Sequence, residues 1–470
     1  MKRLAIAAIG LMLCGPAWAA EAGHASIDGT KLGIYWVLPF AGLLLSIAIM
    51  PLAVPKFWHH HFGKVAAFWA LCFLIPNAAL FGLDITGTEV LHTALLEYIP
   101  FIILLLALFT VAGGVVIGGN LHGSPSLNTA MLTLGTLLAG IMGTTGASIL
   151  LIRPLLRAND NRKHKTHVFI FFIFLVSNIG GALTPLGDPP LFLGFLKGVD
   201  FFWPAIHISI EMLLAVIVLL SLFFAIDSHY YGKEGEVKRD PTPDSPILLH
   251  GGVNIILLLC VVGAVLMSGI WKTDAAITVA GIELGLPGLL RDVLLLAITF
   301  ASWRLTSQKA RKANEFSWGP MLEVAKLFAG IFVTIIPAIA ILRTGANGAL
   351  APLVGLVTGP NGEPINAWYF WLTGGLSSFL DNAPTYLIFF NMAGGDAGNL
   401  MGPLAATLSA ISAGAVFMGA NSYIGNAPNF MVKSIVEERG VKMPSFFGYM
   451  AWSCGILLPL FVVLTLLFYR

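Results

Sequence analysis

Two aspartates stand in apolar sequence where charge is costly. Asp188 lies in Asn178-Ile-Gly-Gly-Ala-Leu-Thr184-Pro185-Leu-Gly187-Asp188-Pro189-Pro190, and Asp381 lies in Asp381-Asn382-Ala383-Pro384-Thr385. Charged groups at bilayer depth are rare and usually mark function. Neither motif contains a Lys or Arg to neutralise the acid. Polar oxygens cluster in the same motifs. Asn178, Thr184 and the backbone at Gly187 come from the first. Asn382 and Thr385 come from the second. Thr144, Thr145 and Ser148 belong to a third polar stretch, and Asn421, Ser422, Asn426 and Asn429 to a fourth. Hard cations prefer such carboxylate, amide, hydroxyl and carbonyl ligands. Asp188 and Asp381 are the candidate Na⁺ ligands, because a carboxylate can hold Na⁺ or H⁺ competitively. The structural alternatives are an N-cap role for Asp381 and a helix-cap role for Asp188; for Asp188 the two roles are compatible.

Something must hold these residues together away from water. The chain has 470 residues, of which 57% are hydrophobic and only 11% charged, and its mean hydropathy is +0.86. Soluble domains carry about 25% charged residues, so lipid is the expected solvent. A net charge of +2 gives no footprint for a nucleic-acid partner. Residues 1–19 read as a signal peptide, with Lys2 and Arg3 before an apolar run and Ala17-Trp18-Ala19 at the cleavage site. Cys14, Cys72, Cys260 and Cys454 have no metal or disulfide spacing.

A hydrocarbon core of about 30 Å requires about 20 apolar residues of helix. Such segments run near 34–54, 65–83, 95–117, 128–152, 168–200, 204–226, 249–270, 286–303, 320–342, 366–393, 403–433 and 446–468. Lys and Arg mark cytoplasmic loops. If 128–152 crossed the bilayer, the basic stretch Arg153, Arg157, Arg162, Lys163 and Lys165 would lie outside. The segment is therefore read as a re-entrant hairpin with Gly143-Thr-Thr-Gly146 at its tip. Lys233, Lys238 and Arg239 then fall inside, as do Arg304, Lys309, Arg311 and Lys312. Segment 366–393 becomes a second hairpin from the opposite face, and Lys433, Arg439 and Lys442 also fall inside. The expected fold is an all-α polytopic membrane protein of about ten spans, or eleven with the signal, plus two hairpins.

The two halves carry matched interruptions. Gly187, Asp188, Pro190 and Phe192 align with Gly425, Asn426, Pro428 and Phe430. Pro and Gly at this density break helices, and unwound backbone inside a bilayer is tolerated where it lines a buried cavity. Paired breaks predict two inverted-topology repeats that meet at a binding site. Repeat 1 spans 20–226, with hairpin 128–152 and broken helix 168–200. Repeat 2 spans 249–470, with hairpin 366–393 and broken helix 403–433. Residues 227–248 form a cytoplasmic linker.

At these residues the chain resembles the ion transporter superfamily. Asn178-Ile179-Gly180-Gly181, Thr184 and Gly187-Asp188-Pro189-Pro190 look like the signature of arsenite-pump membrane subunits, and more loosely of sodium/proton antiporters and citrate/dicarboxylate carriers. The resemblance implies a scaffold domain, a moving transport domain that carries both hairpins and both breaks, and a homodimer. The hairpins depart from the Ser-Asn-Thr tripeptide of dicarboxylate carriers. The reading is a multi-pass inner-membrane secondary transporter rather than an enzyme, with the lipid bilayer and a small inorganic cation or carboxylate as partners. It uses no cofactor beyond Na⁺ and H⁺ as transported or coupling ions. Na⁺/H⁺ antiport stands first, Na⁺- or H⁺-coupled citrate/dicarboxylate transport second, and arsenite efflux third.

Overall fold

The computed structural model describes residues 27–234 and 245–470. The signal segment 1–19 with Cys14, and linker residues Lys238 and Arg239, lie outside the described residues. The first half contains α1 (Leu38–Ala53), α2 (Pro55–Phe81), α3 (Leu83–Thr93), a π turn (Ala94–Tyr98), α4 (Ile99–Ala112), β1 (Val116–Asn120), α5 (Pro125–Met142), α6 (Thr144–Ala158), α7 (Thr166–Leu175), α8 (Pro189–Leu196) and α9 (Ser209–Gly232). The second contains β2 (Ser245–His250), α10 (Val253–Ile270), β3 (Ala276–Val279), β4 (Ile282–Gly285), α11 (Leu286–Leu305), α12 (Gly319–Thr334), α13 (Ile336–Arg343), α14 (Asn366–Ser377), α15 (Asn382–Met392), α16 (Ala405–Met418), α17 (Ala427–Glu438) and α18 (Phe446–Phe468).

Among the described residues, nine helical stretches are long and apolar enough to cross a membrane. The pair α12–α13, bent by 41°, makes a tenth. The chain is an all-α polytopic membrane protein. Two small antiparallel ribbons, β1–β2 and β3–β4, are the departure from a purely helical expectation.

The helices sort into a frame and a core. In the frame, α1 packs on α2, α2 on α12, and α4 on α10 and α11. In the core, α14 packs on α16, and the halves interlock, with α8 against α15 and α6 against α17. The two parts meet where α4 touches α6 and α13 touches α15. At the centre is α7, whose residues from His167 to Leu175 are all buried. A helix apolar on every side has no face to offer water and is covered all round. Frame helices instead turn large apolar side chains outward, such as Ile256 and Leu259 on α10 and Phe300 on α11. Such a belt suits lipid.

Charge divides the molecule into two ends. Arg153 Nη2 and Arg439 Nη2 donate to the two oxygens of Glu315, each at 2.9 Å. Thr166 Oγ1 donates to the Lys442 carbonyl at 3.3 Å. The basic stretches around 153–165 and 433–442 therefore share one end with 314–318. At the other end, Lys197 pairs with Glu97, and Arg343 Nε donates to Asn391 Oδ1 at 3.1 Å.

Some boundaries differ from the sequence reading. The second span, expected from about 65, begins at Pro55 and takes Lys56 and Lys64 into the helix. The span expected at 95–117 starts earlier, in the helical run 83–112, and Glu97 is buried within it. The linker expected at 227–248 starts as helix: α9 continues to Gly232 and buries Asp227, and 245–250 pairs with β1.

Candidate functional site

Glycine and proline set the local geometry. Gly143 ends α5 at φ +81°, which L side chains rarely adopt, and α6 starts at the next residue. In the first half the chain leaves α7, makes a short 3-10 turn at Ile179–Leu183, and resumes as α8 behind Pro189 and Pro190. Proline suits the first turn of a helix because its missing N–H has no partner to lose there. In the second half α16 ends, Gly419–Asn421 turns, and α17 resumes with Pro428 in its first turn. The two breaks have nearly the same backbone at the residue before the helix. Asp188 has φ −143°, ψ 143°, and Asn426 has φ −152°, ψ 140°.

The duplication extends further than the sequence motifs suggested. A single shift in residue number carries Gly140 onto Ser378, Thr144 onto Asn382, Thr184 onto Ser422, Gly187 onto Gly425 and Asp188 onto Asn426. Thr184 Oγ1 donates to the Gly140 carbonyl at 2.5 Å and accepts from Leu186 N at 3.2 Å. Ser422 Oγ donates to the Ser378 carbonyl at 2.5 Å and accepts from Ile424 N at 3.2 Å. A Cβ at Gly187 would stand 2.2 Å from the Gly181 carbonyl, and one at Gly425 would stand 2.6 Å from that of Gly419. Both breaks fold tightly enough to require glycine.

Asp188 is the meeting point. Its side chain makes no capping bond to α8 and turns inward instead. Oδ1 accepts from Thr144 Oγ1 at 2.9 Å and Asn426 Nδ2 at 3.1 Å, and Oδ2 accepts from Asn382 Nδ2. One carboxylate is thus gripped by both helix–turn–helix tips and by the second break. Four helices, α6, α8, α15 and α17, begin within one residue of these groups. Each N-terminus carries a partial positive charge of about half a unit, which favours an anion at their meeting point. Asn382 Oδ1 is buried with no hydrogen-bond partner.

The remaining predicted residues divide clearly. Asn178 Nδ2 donates to Asn429 Oδ1 at 2.7 Å, and Asn178 Oδ1 accepts from Asn426 at 3.3 Å, so these bind one break to the other. Asn429 Nδ2 also satisfies the carbonyls of Gly419 and Ser422. Thr145 and Gly187 line the cavity beside Asp188. Ser148 bonds Ser177 at 2.9 Å and does not reach the carboxylate. Asn421 Nδ2 donates to Ser378 Oγ, leaving its own Oδ1 unpartnered. Asp381 is not in the cluster: its Oδ1 accepts from Ala383 N at 3.0 Å, which caps α15, while Thr385 Oγ1 bonds the Asp381 carbonyl. The cap role weighed against a ligand role for Asp381 is the one its hydrogen bonding displays. Ser177 and Ser378 escaped the sequence reading. Ser378 could have been found by carrying the repeat register back from the break to the hairpin.

A cavity of about 120 Å³ opens against Asp188 between core and frame. Its walls combine Gly143–Gly146, Pro185–Pro189 and Ala427–Pro428 of the core with Phe101 and Leu104 of α4 and Pro320 and Met321 of α12. No Lys or Arg lines it.

The chain is similar to known transporters. An uncharacterised transporter of Mycobacterium bovis is 27% identical over 334 residues, which cover 70% of this chain and 73% of that one. An uncharacterised transporter of Mycobacterium tuberculosis strain H37Rv matches with the same figures. A second from that strain is 24% identical over 325 residues, 67% of this chain and 66% of its own. A family profile described as "putative citrate transport" matches residues 29–469, and the chain belongs to that family of membrane transporters.

Proposed function

We propose that this transporter exchanges Na⁺ for H⁺ at Asp188. The observation that carries the reading is a fully buried carboxylate held by three neutral donors from three separate elements, beside a cavity without basic side chains. An anionic cargo needs positive charge. Here the converging helix ends are already directed at Asp188, so what the site lacks is a cation. The Asn382 amide supplies the alternation. With Nδ2 toward Asp188 it solvates a bare carboxylate, and its Oδ1 stays unpartnered. Turned over, Oδ1 faces Asp188 and completes either a Na⁺ shell or a bond from the protonated acid. Asp188, Thr144, Asn382 and Asn426 are the working group in this reading. Thr184, Ser422, Asn178 and Asn429 hold the breaks open. Thr145, Ser148, Gly187, Asn421 and Thr385 shape the surroundings, and Asp381 fixes the tip of the second hairpin.

In this reading α5–α6 and α14–α15 are re-entrant hairpins of two inverted repeats. The frame stays fixed while the core carries the site across. The bilayer is the inner membrane, with the basic end cytoplasmic.

A second reading is cation-coupled citrate transport, favoured by the description of the family. The helix N-termini could hold a carboxylate without arginine, once Asp188 is neutralised by a bound cation. Everted vesicles separate the two. Antiport predicts Na⁺- or Li⁺-driven collapse of a proton gradient, abolished in Asp188→Asn. Labelled citrate uptake with no cation-driven proton flux would overturn antiport in favour of the second reading.

A further inference from the structure

A cavity of about 560 Å³ lies between frame and core at the end opposite the basic loops, apart from Asp188. Much of its wall is apolar: Ile99 and Ile103 of α4, Phe195 of α8 and Val199 just beyond it, and Val293 and Leu296 of α11. Ile99, Val293 and Leu296 are also among the large apolar side chains exposed on the outer belt. The mouth therefore faces hydrocarbon. A polar solute would have to cross lipid to enter it, whereas an acyl chain is already at that depth.

The polar end is built around the start of α11. Gly285 precedes the helix, and no side chain caps it. Leu286 N donates to the Ala275 carbonyl at 2.9 Å, Pro287 has no N–H, and the Gly288 N–H has no acceptor among the described residues. Gly285 and Gly288 both line the cavity. A helix start with a free N–H favours an anion. One turn on stands Arg291, only 5% exposed. Its Nε donates to Asp292 Oδ1 at 2.8 Å, and its Cζ lies 5.6 Å from the Phe192 ring centroid. Its terminal nitrogens have no acceptor among the described residues, although the side chain lines the cavity. Nη2 is 3.9 Å from where a Cβ at Gly288 would stand, so the guanidinium and the free N–H face the same space. A buried guanidinium with open donors matches the oxygens of a phosphate. Lys272 and Asp200, both exposed, complete the rim. Trp271 beside them is exposed as well, and tryptophan at the end of a span marks the headgroup level.

We propose that this cavity is a binding site for a phospholipid with a zwitterionic amine headgroup. The phosphate sits at the Gly288 N–H, Arg291 and Lys272, where it supplies the acceptors that the guanidinium lacks. The headgroup amine meets Asp200. One acyl chain fills the seam between α4, α8 and α11. Two bases, Lys272 and Arg291, face two acids, Asp200 and Asp292, so this end carries no net charge and suits a headgroup that carries none either.

Native mass spectrometry of the full-length protein, stripped of lipid in detergent and titrated with dioleoyl phosphatidylethanolamine, tests it without requiring transport. Wild type should take up one tightly held lipid per protomer. Dioleoylglycerol, with the same chains and no phosphate, should bind about tenfold more weakly. The phospholipid should lose about as much on the double variant Arg291→Gln/Asp292→Asn, which removes the ion pair together and strands no acid. Lys272→Gln, on the exposed rim, should lose about two- to fivefold and keeps the test open should the double variant not fold. Dioleoyl phosphatidylglycerol keeps the phosphate but has no amine. It should bind about two- to fivefold more weakly than the amine lipid, a preference lost in Asp200→Asn. Val293→Trp, which fills the mouth, should lower uptake without changing the number of protomers. Equal uptake of dioleoylglycerol, wild-type affinity in the variants at 272 and 291, or equal binding of the two phospholipids overturns the proposal. So does stabilisation by inorganic phosphate through Arg291 in a protein that retains no phospholipid, which would mark a site for a free anion. Loss of a dimer in Val293→Trp with lipid uptake intact would give the cavity to a second copy and overturn it too.

Discussion

At the scale of single residues, Asp188 combines burial with solvation by neutral donors only. Each hydrogen bond to a charged group contributes about 1.5–3 kcal/mol. In the proposed antiport, Thr144→Val should therefore weaken apparent Na⁺ affinity about tenfold or more, read as the half-maximal concentration for proton-gradient collapse, with the protein still folded. Gly187→Ala belongs to a different class. Its Cβ would meet the Gly181 carbonyl at 2.2 Å, and overpacking of this kind costs about 1–3 kcal/mol, visible as a lowered unfolding temperature in detergent. Asp188 was legible from sequence because an acid between Gly and two prolines, within apolar sequence, has few structural uses. Asp381 was less so. Composition alone does not distinguish a carboxylate that caps its own helix from one that faces a cavity, and the hydrogen bond from Ala383 N shows the cap.

At the scale of elements, buried polar networks fix how α5, α6, α7 and α9 meet at the basic end. Asp227 accepts from Asn128 Nδ2 at 2.9 Å and pairs with Arg162 at 2.6 Å and His167 at 2.8 Å, all in buried surroundings. Removing one partner strands a buried charge, so Asp227→Asn should destabilise the protein by about 3–5 kcal/mol, measured by thermal unfolding. Glu315 works more weakly. The hydrogen bond from Arg153, helped by the charges of Arg153 and Arg439, holds its carboxyl below the ordinary value of 4.5. Its contribution is present above that ordinary value and is lost as pH falls through the lowered one. Because Glu315 is half exposed, Glu315→Gln should cost about 1 kcal/mol or less at neutral pH. The difference from wild type should vanish in strong acid. The helix breaks could be read from sequence since Pro and Gly leave local marks. The extension of α2 back to Pro55 could not, because the apolar run starts only near 65 and the polar Lys56 and His59–His61 precede it. The β1–β2 ribbon was also hidden, being a pairing between segments far apart in the chain.

At the scale of the molecule, the charge-based topology makes a direct prediction. A reporter fused after Lys165 should read cytoplasmic, and a cysteine at Glu283 in the β3–β4 ribbon should react with an impermeant reagent from outside. The reverse pattern would invert the whole reading. The broad architecture was legible because the bilayer imposes length and polarity on every span. The meeting of α6 with α17 and α8 with α15 was not, since interlocking of the halves depends on shape rather than composition. The near-twofold relation between the breaks is unequal in one respect: a carboxylate stands at 188 where an amide stands at 426. A pair of acids would have room for two monovalent ions at once. If Asp188 alone trades a sodium for a proton, as in the proposed antiport, each turnover moves no net charge. Flux through this protein should then be indifferent to a voltage imposed with potassium and an ionophore. Asn426→Asp, if it still transports, should make it respond.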